Sequence, residues 1–193
     1  MPTESHLTDA QLSASRMQAK RPVSAALAGP YGHPFHPILV TVPIGAWVTS
    51  LVFDVASRVV DRPGFLTEGS EWLIGVGVIG ALLAATVGFL DLFAIPARTP
   101  AFRTAVVHMS LNLLVTAAYA VGFWWRHGSY TDGGSVDAGP LTLSAVGVAV
   151  LGVSGYLGGK LAYRYGVRVA DESTQAEGYT PGRGGRGRGP GSL

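Results

Sequence analysis

The sequence predicts an all-α integral membrane protein, an up-down four-helix bundle with disordered termini. Three observations carry that prediction. Four apolar segments are each long enough to cross a hydrocarbon layer about 30 Å thick. Short connections rich in turn residues separate them. Charged residues make up 13% of the chain against 48% hydrophobic, roughly half the charged share of soluble domains, so helices of this length would be poorly solvated in water.

Taken in order, the chain up to residue 30 is polar, has no signal-peptide core, and reads as a disordered arm. A four-helix transmembrane domain then occupies residues 31–168. Its helices are expected at about 38–60, 71–95, 101–125 and 141–165, because these are the runs of span length. The breakers between them are Asp61-Arg62-Pro63-Gly64, Ile95-Pro96, and the stretch from Asp132-Gly133-Gly134 to Gly139-Pro140. Short connections make consecutive helices antiparallel neighbours. Residues 169–193 form a Gly/Arg-rich tail of low complexity, which cannot build a core and is expected to be disordered.

Basic residues set the orientation. Eleven lie on the side of the termini: Arg16, Lys20, Arg21, Arg98, Arg103, Lys160, Arg164, Arg168, Arg183, Arg186 and Arg188. Only Arg58, Arg62 and Arg126 lie on the other side. The excess places both termini in the cytoplasm and the protein in a bacterial inner membrane. Trp72, Trp124 and Trp125 then fall at the outer interface, as an aromatic belt requires. The tail arginines suit anionic lipid headgroups, and no nucleic-acid partner is expected.

Small residues recur four apart as Gly77, Ala81, Ala85 and as Gly80, Ala84, Gly88, with Gly155 and Gly159 in the same relation. Such rows let helices approach closely, or leave room for a planar cofactor against a glycine face.

Ionisable groups inside a span are costly and need an account. Asp91 and His108 stand about a turn inside the same end of adjacent helices, Lys160 is at a comparable level, and His33 and His36 guard the entrance to the first helix. Thr104, His108, Asn112 and Thr116 recur every four residues, a polar stripe expected to face the bundle interior. Imidazoles in this setting suit one b-type haem on His108 with His36 or His33, or one metal ion on His33, His36, His108 and Asp91. The 5 histidines, with His6 and His127 outside the bundle, allow at most one bis-histidine haem. His36 is expected nearer the interface than His108, which counts against the haem pairing. The plainer alternative is that His108 and Asp91 bond each other and merely fix the helices, as in a structural or partner-binding membrane subunit. A third is a proton or ion carrier using Asp91, His108 and Lys160, although no inverted repeat is apparent. Asp54 and Arg58, four apart, are expected to pair on the helix surface. Lys160, with Thr104 and Asn112, is the supporting polar set.

With 0 cysteines, disulfides, thiolate metal sites and thiol nucleophiles are excluded. No catalytic residues are assigned, since neither a nucleophile triad, a phosphate loop, HExxH nor a carboxylate pair is present. A self-contained enzyme is not expected.

The stretch Gly32-His-Pro-Phe-His-Pro-Ile-Leu-Val-Thr-Val-Pro-Ile-Gly45 resembles the opening motif, HPxHPxLVxxPxG, of a bacterial membrane family known as domain of unknown function 2231. His108 with Asn112, and the closing run from Gly158 to Val167, resemble it too. The resemblance covers residues 31–168. It implies an architecture similar to membrane b-type cytochromes, and some relatives are joined to a Rieske-like domain. A redox role on His33, His36 and His108 is thereby implied, with a separate electron-transfer protein or membrane complex as partner. Homo-oligomerisation stays open.

Overall fold

The structure, a computed structural model, describes residues 8–21, 34–127, 133–177 and 179. Its elements are α1 (Asp9–Lys20), α2 (Phe35–Leu39), α3 (Thr41–Ser57), α4 (Gly64–Leu92), α5 (Pro100–His127), α6 (Ala138–Tyr163) and α7 (Glu172–Glu177). Among the described residues four spans are long and apolar enough to cross a membrane: α2 with α3, then α4, α5 and α6. The start of α2, the end of α6 and α1 lie at one end of the bundle, here the terminal end. The α3–α4 and α5–α6 connections lie at the distal end.

Prolines place the helix boundaries. Pro100 opens α5 at its first position, where the missing N–H is no loss. Pro140 falls within the first turn of α6 and is tolerated for the same reason. Pro43 cannot donate to the Leu39 carbonyl, so the first span breaks at Val40 into α2 and α3. The first span therefore starts at Phe35, earlier than expected, and brings His36 into the bundle. α4 starts at Gly64 rather than near 71, because its early hydroxyls are satisfied locally: Thr67 Oγ1 donates to the Gly64 carbonyl at 2.9 Å.

Polarity is arranged inside out. Ser50, Asp54, Ser57, Ser70, Arg126, Ser144 and Ser154 are buried, whereas Val52, Ile79, Leu83, Leu114, Val121 and Val153 are exposed. Water would reverse this distribution; lipid favours it. Trp72, Trp124 and Trp125 are exposed at the distal end, in keeping with an interfacial belt.

Along the bundle axis the interior is layered. In the distal layer Arg126 makes two bonds of 2.6 Å to the carboxylate of Asp54. Ser70 Oγ donates to Asp54 at 2.5 Å, and Arg126 also donates to Ser144 Oγ at 2.9 Å and the Pro140 carbonyl at 3.3 Å. All four spans meet here. The expected Asp54–Arg58 pair does not form: Asp54 turns inward, and Arg58 donates instead to the Val136 carbonyl at 2.7 Å. In the middle layer Trp47 stacks on Tyr119 with ring centroids 4.3 Å apart and planes 5° from parallel. Ile74 and Val115 complete that core. Gly77 is required there, since a side chain would overlap the Trp47 indole.

These layers expose an internal repeat. Asp54 and Arg126 stand 72 positions apart, as do Trp47 and Tyr119, and His36 and His108. On the following helices the matching separation is 70: Gly77 and Gly147, Ala84 and Ser154, Gly88 and Gly158. The contacts repeat as well. Trp47 Nε1 donates to the Ile74 carbonyl at 3.3 Å, and Tyr119 Oη donates to the Ser144 carbonyl, 70 positions on, at 3.0 Å. The α2/α3–α4 hairpin and the α5–α6 hairpin are thus two versions of one unit running in the same direction, with equivalent residues facing each other across the bundle. This is a parallel repeat, about an axis along the bundle, rather than an inverted one.

Two short helices lie within the terminal segments. Residues 9–20, read as part of a disordered arm, form α1, started by a capping box between Thr8 and Gln11. Within the expected disordered tail, α7 is preceded by Asp171. The Ser173 hydroxyl and the Thr174 N–H bond its carboxylate and hold its pKa down to about 2. Local capping, which hydropathy does not register, accounts for both.

Candidate histidine site

Terminal to the aromatic layer, the bundle opens into a cavity of about 500 Å³ bordered by all four spans. Its walls are largely apolar and small-sided, with Ala81, Ala85, Gly155 and Gly159 among them. His36 enters from α2 and His108 from α5.

Each imidazole is seated by the same device. His36 Nδ1 donates to the Ala84 carbonyl on α4 at 2.9 Å. Gly88 stands one turn further on, and a Cβ there would lie 2.8 Å from His36 Cε1 and Nδ1. His108 Nδ1 donates to the Ser154 carbonyl on α6 at 2.8 Å, and a Cβ on Gly158 would lie 3.0 Å from its Cε1. A carbonyl and a glycine four residues later thus hold each ring against the neighbouring helix. With Nδ1 as the donor, the Nε2 of each ring carries a lone pair in the neutral imidazole, the form that ligates metals. The Nε2 of His108 accepts from Asn112 Nδ2 at 3.1 Å.

The two rings are 6.4 Å apart between centroids, with planes at 84°. In the other two layers the equivalent pair is in direct contact, as an ion pair and as a stack. The histidine pair instead stands edge-on, with the widest centroid separation of the ring pairs across the axis. The expected mismatch in depth between His36 and His108 is overturned, because α2 begins early enough to carry His36 down to the level of His108.

Other residues of the expected site separate. Asn112 and Thr116 border the cavity. Thr104 does not; its hydroxyl bonds the Pro100 carbonyl at 2.9 Å. Lys160 is not among the cavity residues either and sits over the Tyr165 ring at 5.7 Å. Asp91 borders the terminal mouth, but its partner is Arg168, at 3.1 Å, and not His108. A path through Asp91, His108 and Lys160 therefore does not converge. His33 lies outside the described residues. Among the described residues no three His, Asp or Glu side chains gather as a metal ion would need. Gly155 and Gly159 do not serve helix packing, since a Cβ on Gly155 meets nothing within 4 Å and one on Gly159 meets only its own Tyr163.

Sequence reading passed over Ser154, and met Gly88, Gly158 and Arg168 only as a packing residue, part of a closing motif and a basic flank, without bringing them to the site. The signal was present in the shared 72- and 70-residue separations, but few identities accompany them.

Together, the inside-out bundle and its buried imidazole pair define a four-span membrane helical protein with a two-histidine cavity between two repeated hairpins. The chain belongs to the family described as Predicted membrane protein (DUF2231), whose profile matches residues 32–171. Neither a curated protein nor a solved structure matches the chain.

Proposed function

We propose that the chain is a redox accessory module of the bacterial cytoplasmic membrane, holding one b-type haem between His36 and His108. The observation that carries this reading is the separation of the histidine pair. Two imidazoles bound to one metal atom from opposite sides, at about 2 Å each, have ring centres about 6 Å apart. The observed distance is 6.4 Å, with both Nδ1 atoms anchored. The donor set suits haem iron, and the cavity volume falls in the range of cofactor sites. Ala81, Ala85, Gly155 and Gly159 leave a flat, side-chain-poor wall for a macrocycle.

When bound, a haem supplies reversible one-electron transfer at a potential set by its ligands and surroundings. The carbonyls of Ala84 and Ser154 fix both tautomers and raise the basicity of the ligating nitrogens. Asn112 must release the Nε2 of His108 on ligation. The apolar walls exclude water and favour the less charged, reduced state. Electrons would come from a separate protein or membrane complex. The bias in Lys and Arg supports cytoplasmic termini and, with them, a cavity near the cytoplasmic face.

A cofactor-free structural subunit is the second reading, favoured by one observation: with Asn112 and Ser154, His108 already satisfies both ring nitrogens within the bundle. Protein purified in mild detergent from haem-sufficient cells separates the two. The haem reading predicts about one haem per chain, lost in His36→Ala and in His108→Ala. Folded protein without haem, destabilised by the same substitutions, would establish the structural reading.

A further inference from the structure

Where the two hairpins agree they describe the common fold; where they differ, one carries something extra. Both α4 and α6 run on to an arginine with left-handed backbone, Arg98 at φ 65° and Arg168 at φ 58°, 70 positions apart. After α4 the chain passes directly to α5, and residues 96–99 do not border the cavity. After α6 it turns at Gly166 (φ 68°), and Val167, Arg168 and Val169 all border the cavity at its terminal end. Arg168 Nε lies 3.1 Å from Asp91 Oδ1, with both side chains largely buried. The residue equivalent to Asp91 in the second hairpin is Leu161, so this ion pair has no counterpart. From outside, α1 braces the same segment: the Arg168 N–H donates to the Ala19 carbonyl at 3.0 Å, and Lys20 Nζ reaches the Ala170 carbonyl at 3.5 Å.

We propose that residues 166–170 are a strap closing the terminal mouth of the histidine cavity, latched by Arg168 on Asp91 and braced by α1. Release of the latch opens the route by which water-soluble reactants reach the imidazoles. A left-handed backbone at a residue with a side chain is uncommon and is kept where the surroundings fix it. Here it turns Arg168 back over the mouth. The ion pair joins the strap to α4 across the bundle, so breaking it frees the segment without disturbing the distal layers. The strap is a property of the cavity, whatever fills it.

A natural chain without cysteine permits a clean test. Thr116→Cys places one thiol on the cavity wall, and a small, charged, membrane-impermeant thiol reagent probes it in open membrane vesicles from haem-depleted cells. With the strap intact, labelling should be slow. Arg168→Ala and Asp91→Asn should each raise its rate about tenfold, corresponding to about 1.4 kcal/mol in the opening equilibrium. Asp91→Asn preserves side-chain volume and carries the test if Arg168→Ala does not accumulate. Equal labelling rates in folded protein with and without the latch would overturn the strap, and would do so whether or not haem is ever bound.

Discussion

Asp54 and Arg126 form an ion pair inside the bundle, with 0% and 1% of their surfaces exposed. Removing one partner strands the other, so Asp54→Ala is expected to cost about 3–5 kcal/mol, read from unfolding in detergent. Because the two positions are equivalent in the repeat, the exchange Asp54→Arg with Arg126→Asp should be more stable than either single change. A double-mutant cycle measures this coupling directly. The same scale governs the site. Gly88→Ala puts a methyl group 2.8 Å from the His36 ring, a distance that neither atom tolerates, so the imidazole must leave the Ala84 carbonyl. Cofactor retention should fall sharply in that variant, with the helices intact. Ala85→Gly, on the same helix and lacking such a contact, should retain it.

Helices were the part most readable from sequence, because span length and proline position act locally. All four appeared where expected, with ends within three residues except the start of α4, which lies seven residues early. The departures at Phe35 and Gly64 arise from hydroxyls and prolines that hydropathy scores as interruptions. What local reasoning could not supply was the face that each helix turns toward its neighbours. Asp54 looked like a partner for Arg58 because the two are four apart; its true partner is on another hairpin, 72 residues away. Asp91 and Lys160 looked convergent with His108 because depth could be read while rotation could not. The pairing of His36 with His108 depends on the short element α2. Pro43→Ala restores the missing N–H and should join α2 to α3 in one continuous helix, rotating His36 off the Ala84 carbonyl. The expected outcome is unchanged helix content by circular dichroism and weakened haem retention.

At the scale of the whole molecule, one hairpin design used twice explains why three residue pairs, Asp54 with Arg126, Trp47 with Tyr119 and His36 with His108, face each other across the axis. Parallel repetition also keeps the start of α2 and the end of α6 at one end, since each hairpin returns the chain to its starting side. The excess of Lys and Arg there predicts that this end is cytoplasmic. A thiol introduced by Gly134→Cys at the distal end should therefore be labelled from outside intact cells by an impermeant reagent. One introduced by Ser173→Cys, in α7, should be labelled only after the cells are opened. The reverse pattern would invert the assignment of the faces and leave the bundle unchanged.

The measurement closest to the central claim is the dithionite-reduced minus oxidised absorption spectrum of the purified protein, taken beside His36→Ala and His108→Ala. One haem held between two equivalent histidines predicts a sharp low-spin α-band in the parent chain, and its loss in both variants to a similar degree. A featureless difference spectrum from folded protein made with ample haem, or a band that survives either substitution unchanged, would contradict it.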